Sequence, residues 1–270
     1  MEFFGQDAAF DAKTLFKDAI IVTPGISFAN MGQLVVDLLV NSALAQSDSV
    51  KLVGHVFSKR VAPMAGSAAF ASQGPTELCL NMEAYLWSYP LPNGVATQKV
   101  ALIQQRTSIL AGQSAAFVKE FVQWAVDVEA SSILVLAGAD NMLCHDRDMH
   151  VYAVSHRIKW TGCGSNGRLF NSEFLDQIPR LPLGEDQEDM WEATRGAGLA
   201  PLVDREAMAR KLSVLSFVLF CAEGNNVPDA AYLASCVAQY LQVPAASFKL
   251  LLPPSWSHMF GRDPSVSLFL

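Results

Sequence analysis

The stretch Ile133-Leu134-Val135-Leu136-Ala137-Gly138 carries no polar side chain at any position. A half-buried strand alternates polar and apolar residues, so a run that is apolar throughout must be covered on both faces. Crossover helices cover a sheet in that way, and the run therefore belongs at the centre of a parallel sheet. Its terminal glycine marks the turn that follows.

The remaining segments fall around this strand. Ala19-Ile20-Ile21-Val22, ended by Thr23-Pro24-Gly25, reads as a buried strand and a turn. Asn30 then precedes Met31, Leu34, Val35, Leu38 and Leu39, whose spacing of three and four predicts a helix capped by Asn30. Val50 to Phe57 is the next strand, giving a β-α-β unit and a parallel pair with the first. Glu77 to Tyr85 alternates as a half-buried strand does, and Val100 to Arg106 is expected to pair with it. Ala115 to Val128 reads as a helix with Phe117, Phe121, Trp124, Ala125 and Val128 on one face.

Beyond Gly138 the pattern is weaker. Val151 to Trp160 is a candidate strand, and Gly162 to Gly198, rich in glycine, proline and acids, reads as a solvated loop or insertion. Asp204 to Leu212 is expected as a helix, Val214 to Cys221 as a buried strand and Asp229 to Leu241 as a helix. The order predicts a three-layer α/β/α sandwich with a mixed, largely parallel central sheet. No linker divides the chain, so residues 1–270 are expected to form a single domain with a flexible tail at about 262–270.

Composition narrows the function classes. With 51% hydrophobic residues in 270, folding can bury about 70–75% of the unfolded surface. The net charge is −7 and no Lys/Arg cluster occurs, which argues against nucleic acid and anionic membranes as partners. The five cysteines have no CxxC spacing and read as reduced, mostly buried thiols. No basic n-region precedes an apolar stretch at the start, and the longest apolar run, Val214 to Ala222, is too short to span a bilayer. A soluble cytoplasmic protein is expected, found in the nucleus as well.

Chemistry is harder to find. No GxGxxG, GxxxxGK[ST], GxSxG or HExxH pattern occurs. Cys144, His145, Asp146, Asp148 and His150 form the densest group of ligand-type residues, but His145 and His150 are five apart and fit no helix-face ligand pair. That loop follows the central strand, where α/β proteins bind small molecules, so it is the place for a hypothetical ligand. Glu223 at the end of an apolar strand is the other catalytic candidate. No nucleophile, base and oxyanion set converges on either. No metal, cofactor or enzymatic activity is expected; the alternative is a phosphorylase- or hydrolase-like enzyme acting on a small molecule.

Three segments are more specific. They are Pro24-Gly25-x-Ser27-x-x-Asn30-x-Gly32-Gln33-Leu34, then Glu223-Gly224-Asn225-Asn226-x-Pro228-Asp229-Ala230, then Pro253-Pro254-Ser255-Trp256-x-x-x-Phe260-Gly261. In this order they resemble the proteasome assembly chaperone 2 family, as does Thr76-Glu77-Leu78. The resemblance implies a non-enzymatic chaperone of 20S proteasome assembly with a nucleoside phosphorylase-like α/β fold. It also implies a heterodimer with proteasome assembly chaperone 1, seated on the proteasome α-ring. Family partners insert C-terminal tails of the pattern hydrophobic–Tyr–any residue between α subunits. Here the tail is Leu268-Phe269-Leu270, with Phe in place of Tyr, which removes a hydroxyl but keeps apolar contacts. Burying these three side chains returns roughly 1.5–3 kcal/mol each. Ordering the tail backbone costs ~1–2 kcal/mol per residue. The balance is a weak anchor, useful as one arm of a two-armed binder.

Overall fold

The computed structural model describes the chain except residues 75, 93, 95, 144–156, 165–168, 182–190, 192–193, 246–247 and 259–270. The tail expected at 262–270, the Cys144–His150 group and most of the strand expected from Val151 therefore lie outside the described residues.

Ten strands are described. They are β1 (Glu2–Gly5), β2 (Ile20–Pro24), β3 (Val50–Phe57), β4 (Ala65–Ser67), β5 (Leu78–Leu80), β6 (Glu83–Pro90), β7 (Thr97–Gln104), β8 (Ser132–Asp140), β9 (Ile158–Cys163) and β10 (Ser213–Cys221). The helices are α1 (Ala12–Phe16), α2 (Met31–Gln46), α3 (Ser114–Asp127), α4 (Ser172–Leu175), α5 (Ala200–Ala209) and α6 (Val227–Tyr240). Eight strands form one sheet in the order β1-β3-β6-β7-β2-β8-β10-β9, while β4 and β5 pair separately. The centre β7-β2-β8-β10 is parallel, and the strands outside it join antiparallel.

Period-two alternation splits the core into two layers. Leu134 and Leu136 of β8, with Leu215, Phe217 and Leu219 of β10, face α2 and α6. Ile133, Val135 and Ala137 of β8, with Val214 and Val218 of β10, face α3 and α5. The central strand thus has helices on both sides, as its composition requires, and the expected three-layer sandwich is present. The described stretch from Phe28 to Gln46 is long and apolar enough to cross a membrane, and here most of it lies inside the fold.

Several expectations need correction. Strands β2 and β3 run in the same direction but are not neighbours, because β6 and β7 lie between them. The strand expected over Glu77–Tyr85 is broken: β5 ends at Leu80, Met82 turns with φ 55°, and β6 begins at Glu83. Its pairing with the next strand holds, with Glu83 opposite Gln104 and Pro90 opposite Thr97. The helix expected over Asp204–Leu212 starts earlier, at Ala200, where Pro201 suits a first turn that needs no amide donor. The stretch Gly162–Gly198 is not simply solvated. Leu175, Leu181, Trp191 and Ala197 within it are buried.

Candidate functional site

Strand β2 ends at Pro24, and the chain must turn to enter α2. The Gly25 amide donates to the Leu136 carbonyl at 2.8 Å, and the Gly25 carbonyl accepts from the Leu199 amide at 2.6 Å. Ser27 Oγ accepts from the Gly138 amide at 2.8 Å, and the Phe28 amide donates to the Gly196 carbonyl at 2.7 Å. A side chain at Gly32 would place its Cβ 2.2 Å from the Leu136 carbonyl, so only glycine lets the helix start so close to β8. Ile26, Ala29 and Asn30 all have positive φ, a costly conformation for a β-branched residue such as Ile26. Asn30 occupies the cap position of α2 but makes no side-chain cap bond. Its contribution is the left-handed backbone (φ 53°), which asparagine tolerates better than most residues. The cap inferred from sequence is therefore a turn residue instead.

Beneath this turn sits a buried polar group. Asp37 Oδ1 accepts from Gln104 Nε2 at 2.7 Å and lies 3.2 Å from Arg106 Nη2. Glu83, fully buried, accepts from the Tyr85 hydroxyl at 2.9 Å and from the Leu80 amide at 2.9 Å. Burial, with Glu83 beside it, pushes the Tyr85 hydroxyl far above its ordinary range. Gln104 Nε2 also donates to the Gln33 carbonyl at 2.9 Å, while the side-chain oxygens of Gln33 and Gln104 have no hydrogen-bond partner. These groups tie α2 to β6 and β7.

The second turn leaves β10 at Cys221 and opens α6. The buried Asn226 points its amide inward, donating to the carbonyls of Ala222 (3.0 Å) and Gly224 (3.2 Å). Asn225 Oδ1 accepts from the Val227 amide at 3.2 Å, and Pro228 sits in the first turn. Asp229 forms a two-pronged pair with Arg157 at 2.9 and 2.7 Å, and Arg157 also donates to the Phe220 carbonyl at 3.0 Å. Glu223, Gly224 and Asn225 remain exposed at the tip. Glu223 is thus a surface carboxylate, not one buried beside a nucleophile.

The third segment reaches the same end of the molecule. Lys249 pairs with Gln46 of α2, and Leu251 pairs with Ser42 and Asn41. The chain therefore runs antiparallel to α2, toward the end where β2, β8 and β10 finish. Ser255 Oγ then donates to the Ala69 carbonyl at 3.0 Å, and Trp256 is half-buried against the core. Leu268, Phe269 and Leu270 lie outside the described residues.

The described parts of all three segments thus meet one rim of the sheet, the carboxyl ends of its parallel strands. Enzymes of this architecture bind ligands there, in the crevice where neighbouring connections diverge. Here, among the described residues, the chain itself enters the crevice between β2 and β8: the Asp140 amide donates to the Arg195 carbonyl at 3.0 Å, and Gly196 lies against Phe28. Among the described residues no three His, Cys, Asp or Glu side chains are grouped to hold a metal ion. The polar triplet Asn41, Ser42 and Gln46 escaped sequence reading, because its partners lie about 200 residues away. A local signal is the Asn41-Ser42 pair, which follows the apolar run Leu38-Leu39-Val40 inside the helix.

The architecture is a three-layer α/β protein whose described motif segments lie at the carboxyl ends of its parallel strands. The PAC2 family profile matches residues 21–252, and the chain belongs to the PAC2 family. Among its relatives is Proteasome assembly chaperone 2 of Bos taurus, 22% identical over 264 residues, covering 92% of this chain and 94% of the relative. Proteasome assembly chaperone 2 of Danio rerio is 24% identical over 266 residues, covering 96% and 98%. These relatives are named for a chaperone role, which is not an enzymatic one. Pyrococcus furiosus PbaA, an archaeal homolog of proteasome-assembly chaperone, shares the fold with TM-score 0.58 at 15% identity, covering 85% of this chain and 79% of its own. Pyrococcus furiosus PbaB, an archaeal proteasome activator, does so with TM-score 0.56 at 12% identity, covering 89% and 88%.

Proposed function

We propose that this protein is a chaperone of 20S proteasome assembly. It pairs with proteasome assembly chaperone 1, and the heterodimer binds the proteasome α-ring through the rim that carries Glu223, Gly224 and Asn225. The tail Leu268-Phe269-Leu270 adds a weak second anchor. The observation that carries this reading is the convergence of the described parts of the three segments on one rim of the sheet. Such a rim offers a partner a surface, with Glu223, Gly224 and Asn225 exposed on it. Phe4, Phe57 and Leu80 are exposed and line an open groove of about 530 Å³, apolar area of the kind a partner subunit covers. The protein works in the cytoplasm and the nucleus.

The test is affinity purification from cells followed by mass spectrometry. Proteasome α subunits and the related chaperone are the expected prey. Recovery of neither, with the bait folded and expressed, overturns the proposal.

A further inference from the structure

Residues 249 and 251 are held in an unusual way. Gln46 Nε2 donates to the Lys249 carbonyl at 2.6 Å, and Gln46 Oε1 accepts from the Lys249 amide at 2.9 Å. Two residues on, the Leu251 amide donates to Ser42 Oγ at 2.8 Å and the Leu251 carbonyl accepts from Asn41 Nδ2 at 2.9 Å. Lys249 and Leu251 are exposed while Leu250 packs on the core, the period-two pattern of a strand. The ladder partner is a column of helix side chains instead of a second strand.

That column is expensive unless used. Asparagine and serine are poor in helix interiors because they compete for the backbone. Asn41 is 1% exposed and Ser42 0%, so both need buried partners. Asn41 Oδ1 also accepts from the Ala71 amide at 2.9 Å, locking the neighbouring loop to the same point. At one end of the segment Phe248 packs on Trp87, with ring centroids 5.3 Å apart; at the other, Ser255 bonds Ala69.

We propose that Phe248–Trp256 is a strap that sets where the C-terminal anchor departs, and that Asn41, Ser42 and Gln46 are its positioning residues. The proposal rests on the reading of Leu268-Phe269-Leu270 as an α-ring anchor. With the strap seated, 12 residues follow the last described one, His258. With it released, the chain is still tied at the end of α6 by Val243, whose amide donates to the Ala238 carbonyl at 2.9 Å, and 27 residues follow Val243. Local concentration at a docking pocket falls as roughly the −3/2 power of tether length, about threefold for this change. The strap also fixes direction, delivering the chain to the rim that carries the other two segments.

The test combines Ser42→Ala and Gln46→Ala, substitutions that favour helix and leave Asn41 in place. Hydrogen exchange at the amides of Lys249 and Leu251 reads the strap, and α-ring affinity is measured with and without residues 268–270. The amides are protected in the parent protein and exchange faster in the variant. Affinity falls about threefold with the tail present and is unchanged by the same substitutions once the tail is removed. Should the double variant fail to fold, Gln46→Ala alone, on the half-buried last turn of α2, is read in the same way. Unprotected amides in the parent, or equal losses with and without the tail, overturn the strap's role. If removing 268–270 leaves affinity unchanged while the amides stay protected, the anchor reading itself fails and the steering role falls with it.

Discussion

The two strand-to-helix turns at this rim look alike in sequence and differ in what they present. Both leave a buried parallel strand, both contain Asn and Gly, and both start a helix on the same face of the sheet. The first spends its polar backbone groups inward, on Leu136, Gly196 and Leu199, and accepts three positive-φ side-chain-bearing residues to do so. The second is tied by side chains, Asn226 to the turn's own carbonyls and Asp229 to Arg157, and leaves its tip in solvent. Similar short strand-to-helix segments can therefore be a packing joint in one place and a surface in another. Burial separates the two.

Substitution should separate them too. Gly32→Ala forces a Cβ to within 2.2 Å of the Leu136 carbonyl and is expected to cost about 3 kcal/mol or more, or to prevent folding. Denaturant unfolding measures it, and a loss under 1 kcal/mol would mean the first turn is not the rigid joint described.

A control comes from the opposite face of the sheet. Asp204 on α5 accepts from Ser216 Oγ at 2.6 Å and from Trp191 Nε1 at 3.0 Å, and burial pushes its carboxyl up to about 7. A carboxyl whose folded value lies above its unfolded one stabilises fully at low pH, and that stability is lost as pH rises through about 7. Stability should decline between about pH 4 and pH 7 at up to ~1.4 kcal/mol per unit from this group. Asp204→Asn should flatten that decline, read from unfolding curves across the range. An unchanged slope would show that the group does not govern it.

Smaller effects belong to the second turn. Asp229→Ala removes the pair with Arg157 and should cost about 2 kcal/mol, since both partners are mostly buried. Thermal melting detects it, and neutrality would mean α6 does not depend on this tie.

The features legible from sequence are those with local causes. Central strands β8 and β10 announce themselves because both faces are apolar, and α3 because Phe117, Phe121 and Trp124 recur at helical spacing. The break at Met82 was hidden because alternation continues across it, from Leu78 and Leu80 into β6. Asn30 was legible as a helix boundary but not as a left-handed residue, since the close approach of Gly32 to β8 that demands the turn is tertiary. Neighbours β6 and β7 separate β2 from β3, and strand order depends on pairing that no single segment encodes. The three segments could be found as motifs, whereas their meeting on one rim emerged only from the course of residues 249–256 along α2.

On the proposed reading, the exposed tip of the second turn is a binding surface and not a structural or catalytic element. Reversing the charge of the exposed Glu223 with Glu223→Lys tests this, by measuring α-ring affinity and melting behaviour on the same preparation. Stability should stay within about 0.5 kcal/mol of the parent, as for surface positions generally, while α-ring affinity falls about tenfold, ~1.4 kcal/mol. Unchanged affinity in a fully folded variant would contradict the claim.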